Sequence, residues 1–318
     1  ITILQCGGGW PDSIGNAFID FGSMYALKKA VGKSNVILSS NFPKSFLSRG
    51  FVSNRLRILD FSILDKTNNL LDVREIARPD YIVLSGEILS TDWIRLCVAR
   101  NFFKSTTKII IHGGGGRDYT QQEFEVVRDF LRRINLYAFI SRDERVFDEY
   151  KGIAQHSFNG IDCGFFARDY FNPITLDLPK YITLTFDKIE EPEFKNEQRM
   201  IIRTHHAFWS QCGFLKKIAY YKRQNFSKKN TLISDLPEDY LNIYANTEET
   251  HSDRLHACVP TLAFGKPAKL YIKTPRATLF DRVNAGSVKN ELTKPDLGKI
   301  EKEKERQIRF LSEILSVN

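Results

Sequence analysis

Short runs of apolar residues alternate, along about the first 140 residues, with segments in which apolar side chains recur every three or four positions. The runs predict buried strands and the recurrence predicts amphipathic helices, one of which carries Ile14, Phe18, Phe21 and Tyr25 on a single face. This alternation is typical of β-α-β units around a parallel sheet covered on both faces. The predicted strands are Ile1–Gln5, Val36–Ser39, Tyr81–Ser85, Lys108–His112 and Leu136–Ser141.

A turn-rich segment, residues 168–180, interrupts this pattern with Asn172-Pro173 and Leu178-Pro179. A second α/β series follows, in which a helix over Asp253–Phe264 should bend or be short because it contains Pro260. We therefore predict two α/β domains, residues 1–175 and residues 176–318, the second ending in a helix. The strands predicted for the second domain are Tyr181–Phe186, Arg199–Arg203, Thr231–Ser234 and Ala268–Ile272.

Composition excludes several classes of protein. With 42% apolar and 26% charged residues the chain is neither disordered nor a repeat array. No run approaches the roughly 18 apolar residues of a membrane-spanning helix, and we expect a cytoplasmic protein. Five scattered cysteines without a C-x-x-C pair indicate neither a disulfide framework nor a zinc site.

The net charge of +8 favours an anionic partner without choosing its class. Two regions are rich in charge, Lys216–Lys229 and Lys294–Arg309. The tail that begins with the second region carries apolar residues at helical spacing, so we expect a helix that packs by its apolar edge, with a binding arm as the alternative. These apolar residues are Ile308, Leu311, Ile314 and Leu315.

Ligands of open α/β sheets bind beyond the carboxyl ends of the strands, where this chain has unusual residues. Glycine tracts suit anions because their amides approach a ligand closely, but tight turns use glycine equally often. Neither tract is a Walker A sequence or a clean G-x-G-x-x-G. The segments are Gly7-Gly8-Gly9 with Gly15-Asn16 and Asp20, Gly86-Glu87, His112-Gly113-Gly114-Gly115-Gly116, and Ser141-Arg142-Asp143-Glu144.

Arg142 does not suit the start of a helix. Ser141, Asp143 and Glu144 fit an N-cap and its dipole, whereas a cation there faces the positive end of the dipole. The arginine is better explained if it reaches for an anion at the edge of the sheet.

The segment Thr250–Ala257 carries the strongest functional signal. Ser252 or Asp253 is expected to cap a helix whose first turn holds Arg254 and His256. Arginine supplies a bidentate clamp for carboxylate or phosphate, and histidine can transfer a proton near neutral pH. Although a lone histidine is more often structural, His205-His206, His251 and His256 cluster in one predicted domain, which favours a functional role for at least one of them.

Together these residues resemble polysaccharide pyruvyl transferases over about residues 1 to 285. The most specific part is the Ser252–Ala257 block with Gly265-Lys266-Pro267 after it. The N-terminal block departs from the family pattern, because Ala17-Phe18-Ile19 separates Asn16 from Asp20. The other matching residues are Gly15-Asn16, Gly86, Ser141-Arg142-Asp143-Glu144 and Gly160 with Asp162.

The resemblance implies two Rossmann-like doubly wound domains that face each other across a cleft, a GT-B-like fold. It implies transfer of pyruvate from phosphoenolpyruvate to two hydroxyls of a saccharide, in the synthesis of a cell-surface polysaccharide. Arg254, His256 and Arg142 would hold the donor, His256 would act as general acid, and Asp20 or Glu87 as general base. The remaining expected substrate-binding residues are Gly15, Asn16, Gly86, His112, Gly113, Gly114 and Ser252.

We expect the N-terminal domain to take the acceptor, a saccharide or a lipid-linked saccharide, and the C-terminal domain to take the donor. No cofactor, metal or nucleic acid is expected, and peripheral contact with a membrane is compatible with a lipid-linked acceptor. Two alternatives stay open: a GT-B glycosyltransferase that uses a sugar nucleotide, and a non-catalytic module that binds polyanions through the two lysine-rich regions.

Overall fold

Two parallel β-sheets, one in each half of the chain, organise the molecule. The computed structural model describes residues 1–7, 10, 13–32, 35–40, 73–99, 107–194, 198–206 and 228–316. Gly8, Gly9, Cys212, the side chain of Cys97 and most of Lys216–Lys229 lie outside the described residues.

The first sheet has six strands, all parallel. They are β1 (Thr2–Gly7), β2 (Asn35–Ser40), β3 (Tyr81–Ser85), β4 (Lys108–Gly114), β5 (Leu136–Ser141) and β6 (His156–Asn159). Their order across the sheet is β2-β1-β3-β4-β5-β6. The five predicted strands are confirmed. The prediction missed β6, which is a half-buried edge strand of four residues, and such a strand leaves no continuous apolar run.

The second sheet is also parallel and has five strands. They are β7 (Tyr181–Thr185), β8 (Met200–Thr204), β9 (Thr231–Leu232), β10 (Glu249–Ser252) and β11 (Ala268–Leu270). Their order is β11-β10-β7-β8-β9. The prediction missed β10, a polar strand inside the sheet, because its side chains bond to their neighbours. Thr250 accepts a hydrogen bond from Thr261 at 2.8 Å, and Ser252 donates to the Thr185 carbonyl at 3.0 Å.

Helices pack on both sheets. The helices are α1 (Gly15–Val31), α2 (Val73–Ala77), α3 (Thr91–Ala99), α4 (Gln121–Leu131), α5 (Glu144–Tyr150), α6 (Ala167–Tyr170), α7 (Pro237–Asn246), α8 (Leu255–Ala263) and α9 (Leu297–Leu315). Three 3₁₀ segments cover Cys163–Phe166, Pro275–Val283 and Gly286–Lys289. Helix α8 contains Pro260 and is short, as predicted. In the part of the chain that the structure describes, no helix combines the length and the apolar character needed to span a bilayer.

The strand order reverses once in each sheet. In the first sheet the reversal lies between β1 and β3, and in the second it lies between β7 and β10. The loops that follow the two strands at a reversal run to opposite sides of the sheet. They leave a crevice between them at the carboxyl ends of these strands. Asp20, Gly86 and Glu87 therefore adjoin one crevice, and Asp253 and Arg254 adjoin the other.

Helix α9 returns to the first sheet although it follows the second. Leu311, Ile314 and Leu315 are buried, which confirms the prediction that the helix packs by its apolar edge. The Tyr137 hydroxyl on β5 donates to the Ile314 carbonyl at 2.6 Å. The predicted boundary at residue 175 falls between the two sheets, but the helix assigned to the second domain contacts the first.

Gln307 ties α9 to the carboxyl edge of the first sheet. Its Oε1 accepts a hydrogen bond from the Ile161 amide at 2.7 Å, and its Nε2 donates to His112 Nε2 at 2.9 Å. Both hydrogen bonds are shielded from solvent, since Gln307 and His112 are both 0% exposed.

We expect Gln307→Ala to lower the free energy of unfolding by about 2–5 kcal/mol, because it leaves two buried partners unsatisfied and removes buried atoms. Urea unfolding followed by circular dichroism measures the change. Glu305→Ala, on the exposed face of the same helix, serves as the control and should change the value by less than about 0.5 kcal/mol. Equal losses in the two variants would contradict a structural role for this amide.

Candidate functional site

The first turns of two helices, one from each domain, meet at the candidate site. A Cβ atom on Gly15, at the start of α1, would lie 2.6 Å from the Cβ of His256 in α8. The backbone N–H of Ile14 donates to the His206 carbonyl at 2.9 Å across the same junction. Gly15, expected to bind substrate, therefore has a packing reason to be glycine: any side chain would push the domains apart. Asn16 follows it and is half-buried.

Three charged or titratable groups from the two domains form a buried chain at this junction. Arg142 Nη1 donates to Asp162 Oδ2 at 3.1 Å, and His256 Nε2 lies 3.3 Å from the same oxygen. Arg142 and Asp162 are 0% exposed, and His256 is 8% exposed. Burial raises the pKa of Asp162, but the charges of His256 and Arg142 outweigh it and hold that pKa below its usual range.

Asp162 satisfies only part of the Arg142 guanidinium. Nε and Nη2 are buried and have no hydrogen-bond acceptor among the described residues. The Cα of Gly115 lies against this group, since a Cβ at that position would collide with Nε, Cζ and Nη2. Buried donors of a charged group cost free energy when they lack acceptors. Arg142 can therefore accept an anion more readily than an arginine whose donors are all engaged.

Arg254 belongs to a second ion pair at the carboxyl edge of the second sheet. Its Nε donates to Asp187 Oδ2 at 2.8 Å, and His205 Nδ1 lies 2.9 Å from Asp187 Oδ1. Burial raises the pKa of Asp187, but the charge of Arg254 and the contact with His205 keep it below its usual range. Asp187 was missed by the sequence analysis, although its place directly after an apolar strand was a usable signal.

The predicted cap of α8 is wrong in detail. The helix begins at Leu255, Arg254 occupies the N-cap position, and no side chain caps the helix. Ser252 accepts from the Arg254 amide at 2.7 Å, while Asp253 Oδ2 accepts from the amides of residues 187, 188 and 189 at 2.9, 2.5 and 2.9 Å. Asp253 is thus used on the β7 side of the crevice, and Ser252 bonds the Arg254 amide and the Thr185 carbonyl instead of an amide inside the helix.

As a result, the first turn of α8 retains unused donors. The amides of Leu255 and His256 have no acceptor among the residues that the structure describes. Amides at a helix N-terminus carry partial positive charge and bind anions. His256 adjoins Arg142 through Asp162, so these amides and the unsatisfied guanidinium belong to one site.

Glu87 forms an ion pair across the cleft. Its Oε1 accepts from Arg117 Nε at 2.6 Å, and its Oε2 lies 2.5 Å from Arg276 Nη1, which belongs to the Pro275–Val283 segment of the second domain. Burial raises the pKa of Glu87, but Arg276 and Arg117 outweigh burial and lower it. The expected role of Glu87 as a base stays a prediction, and a carboxylate held by two cations is a weak base. Arg276 was not predicted as a site residue, although it also follows the carboxyl end of a strand.

Asp20, the other expected base, ends a directed chain of hydrogen bonds. Gln307 has only donors on Nε2, so His112 Nε2 must accept and His112 Nδ1 must donate to Ser23, 2.8 Å away. Ser23 donates to Gln5, Gln5 to Ser85, and Ser85 to Asp20 Oδ1, over 2.7, 2.9 and 2.8 Å. The other oxygen, Oδ2, accepts from Trp10 Nε1 at 2.7 Å. Asp20 is therefore fixed as an acceptor.

This chain places His112 behind the cleft rather than at its surface. Both ring nitrogens are engaged inside the protein, and burial lowers the pKa of the ring to about 3. The expected glycines have local backbone reasons for their identity. Gly86 and Gly113 adopt φ of 82° and 65°, and a Cβ on Gly114 would collide with Ile111. Substrate binding by these residues stays a prediction.

A separate groove of about 600 Å³ opens beside α5 and contains none of the expected site residues. It is lined by Glu144, Arg145, Asp148, Glu149, Thr278, Asp281, Arg282, Asn284 and Lys299. Among the described residues, no three His, Cys, Asp or Glu side chains converge as ligands for a metal ion. The anion site described above, with its two arginines and open helix end, is therefore the better candidate for substrate.

Comparison with known proteins gives the fold. No family model matches the chain. No curated protein matches it either. Solved structures match over almost the whole length at low identity, and those discussed below are UDP-GlcNAc 2-epimerases.

The enzyme from Rickettsia bellii is 13% identical, with a TM-score of 0.54, covering 99% of this chain and 95% of that one. The enzyme from Neisseria meningitidis, bound to UDP-GlcNAc, is 13% identical, with a TM-score of 0.52 and coverages of 98% and 94%. The enzyme from Methanocaldococcus jannaschii, in complex with UDP-GlcNAc and UDP, is 13% identical, with a TM-score of 0.52 and coverages of 99% and 98%. The chain has a GT-B-like fold of two Rossmann-like domains, as the sequence predicted.

His112 makes the stability of the protein depend on pH. Its pKa in the folded state, about 3, lies below the ordinary value of 6.5, so between these values the unfolded chain binds a proton that the folded chain does not. The contribution of His112 to the free energy of unfolding should therefore fall as pH drops below about 6.5, at up to about 1.4 kcal/mol per pH unit. The free energy of unfolding, measured with urea at pH 6.5, 5.7 and 5.0, should depend less steeply on pH in His112→Asn than in the unmodified protein. The difference in slope should correspond to about one proton. Identical slopes would mean that His112 titrates normally.

Proposed function

We propose that this protein is a carbohydrate-active enzyme that binds a sugar nucleotide by its phosphates at the junction of Arg142, Arg254 and α8. The observation that carries the proposal is the Arg142 guanidinium, which is fully buried and has two nitrogens without acceptors among the described residues. A buried cation with unused donors needs an anion to satisfy it.

The electrostatics of the site suit a diphosphate. Arg254 lies at the N-cap of α8, and His256, two residues later, shares Asp162 with Arg142. The two arginines can each donate paired hydrogen bonds to phosphate oxygens, and the two helix amides can each donate one. These donors would bind a diphosphate without a metal ion. The structures with UDP or UDP-GlcNAc bound are similar to this chain over nearly their whole length, which supports a nucleotide as the donor.

A second candidate is pyruvyl transfer from phosphoenolpyruvate to two hydroxyls of a saccharide. The specific observation in its favour is the Ser252–Ala257 block with Gly265-Lys266-Pro267, which resembles polysaccharide pyruvyl transferases. Phosphoenolpyruvate carries a carboxylate and a phosphate on three carbons. Carboxylate and phosphate are the groups that a guanidinium such as that of Arg142 binds through paired hydrogen bonds.

In this second reaction a sugar hydroxyl adds at C2 while C3 of the donor gains a proton, and the second hydroxyl then displaces phosphate. His256, which is 8% exposed and lies next to the buried carboxylate of Asp162, would supply the proton. Asp20 is the better candidate for taking the hydroxyl proton, since Glu87 is held by two arginines. Arg142 and Arg254 would stabilise the negative charge of the departing phosphate.

Calorimetric titration with UDP, UDP-GlcNAc and phosphoenolpyruvate discriminates between the two candidates. Saturable binding of the nucleotides alone supports the first. Binding of phosphoenolpyruvate, with phosphate released in the presence of a saccharide panel, supports the second. Affinity for polyanions that falls steeply with salt and ignores Arg254 would instead indicate a non-catalytic module.

For whichever donor binds, Arg254→Lys should weaken affinity by about 1.5–3 kcal/mol, because lysine cannot reproduce the planar fork of arginine. The measurement is the dissociation constant from the same titrations. Arg199→Lys is the matched control, since Arg199 pairs with Glu249 at the amino end of the second sheet. If Arg254→Lys bound the donor with unchanged affinity, the proposal that the donor binds at the start of α8 would be wrong.

Binding and chemistry should separate at His256. His256→Asn is expected to retain most of the donor affinity and to lower turnover by roughly 10²–10⁴-fold, the usual contribution of a positioned proton donor. Steady-state kinetics of the identified reaction give the comparison. His251→Asn is the control, because His251 is a buried histidine bonded to Glu249 and Tyr271. If His256→Asn lost affinity and turnover in equal measure, the histidine would be a ligand of the anion instead.

A further inference from the structure

Arg276 reaches the cleft from the second domain and has not used all of its donors. Its Nη1 contacts Glu87 Oε2 at 2.5 Å, and its Nε is buried without an acceptor in the described part of the chain. The side chains of Arg276 and Glu87 are 19% and 20% exposed, so the pair is mostly shielded from solvent. It is the same condition that marks Arg142: a shielded guanidinium with donors left over.

Backbone contacts place Glu87 and Arg142 in adjoining turns of the first sheet. The Gly115 amide donates to the Gly86 carbonyl at 3.0 Å, and the Arg142 amide donates to the Gly114 carbonyl at 3.1 Å. Gly115, whose Cα lies against the Arg142 guanidinium, is thus bonded to the residue before Glu87. Burial lowers the pKa of Arg276, and the charge of Arg142 lowers it further against the opposing effect of Glu87. Arg142 and Arg276 therefore contribute positive charge to the same part of the cleft.

The arginines around this part of the cleft differ in how their charge is met. Arg142 has Asp162 as its ion-pair partner, whereas Glu87 is shared between two cations, Arg117 and Arg276. Arg117 is 46% exposed and also contacts Asp92, so water and a second carboxylate screen it. Arg276 has neither. The Glu87 carboxylate occupies, on Arg276, the position that the carboxylate or phosphate of a substrate would take.

We propose that Arg276 is a further substrate-binding residue, and that Glu87 is an internal counter-ion which competes with an anionic group of the substrate for it. The inference rests on the proposed function for the location of the donor and extends it. The substrate then carries two anionic groups, one held by Arg142 and α8 and the other by Arg276. When the substrate replaces Glu87 at Arg276, it contacts Arg142 of the first domain and Arg276 of the second. The ligand then connects the two domains.

The test is a calorimetric titration of the 318-residue chain with inorganic pyrophosphate. Glu87→Gln should tighten binding by about tenfold, since it removes the competing charge and keeps the size of the side chain. Arg276→Gln should weaken binding by about tenfold or more, the effect of losing one charge-assisted hydrogen bond. The double variant should bind as weakly as Arg276→Gln alone, because the effect of Glu87 acts through Arg276.

The controls are Glu249→Gln and Arg199→Gln. They make the same changes of charge in an ion pair of similar burial at the opposite end of the second sheet, and should leave affinity within about twofold. Circular dichroism and urea midpoints verify folding, and Arg276→Lys replaces Arg276→Gln if the latter does not fold. Unchanged or weaker binding in Glu87→Gln overturns the proposal, as does unchanged binding in a folded Arg276 variant.

The outcome does not depend on the identity of the donor. If neither a nucleotide nor phosphoenolpyruvate is turned over, the proposed function fails while pyrophosphate still reports on Arg276. If Arg254→Lys weakens the donor but Glu87→Gln does not tighten pyrophosphate, the proposed function stands and the role of Arg276 is refuted.

Discussion

A guanidinium buried at the edge of a parallel sheet must find opposite charge inside the protein, and this requirement governs the centre of the molecule. Arg142 obtains one acceptor from Asp162, and Asp162 in turn holds His256 of the other domain. To fit this arrangement, the backbone at Gly115 lies directly on the guanidinium, and the start of α1 at Gly15 lies directly on His256. One buried ion pair and the histidine beside it therefore connect the two domains at the cleft.

Much of the fold could be predicted because buried parallel strands leave apolar runs in a sequence. The exceptions have a physical reason. Strand β10 lies inside the second sheet, yet its threonine and serine side chains bond to Thr261 and to the β7 backbone, which removes the hydrophobic signal. Strand β6 is short and half-buried, so it needs no continuous apolar run.

The candidate site was less predictable than the fold, because pairing depends on contacts between residues far apart in the chain. Arg142, Arg254 and His256 could be singled out by residue type and by their place after strands. Their partners could not, since Asp162 and His256 lie 94 positions apart in the sequence. The capping error at α8 has the same origin. Ser252 and Asp253 are good caps by local chemistry, but the neighbouring β7 loop offers four hydrogen-bonding groups that take them instead.

The return of α9 to the first sheet has a consequence for the order in which the chain folds during synthesis. The first domain emerges from the ribosome more than a hundred residues before α9, but its core includes Leu311 and Ile314, and its buried Gln307 site is filled only by that helix. The nascent first domain must therefore wait, with apolar surface and the Ile161 amide uncovered, until the second domain has been made. The native core of the first domain is thus completed only after the second domain has been synthesised.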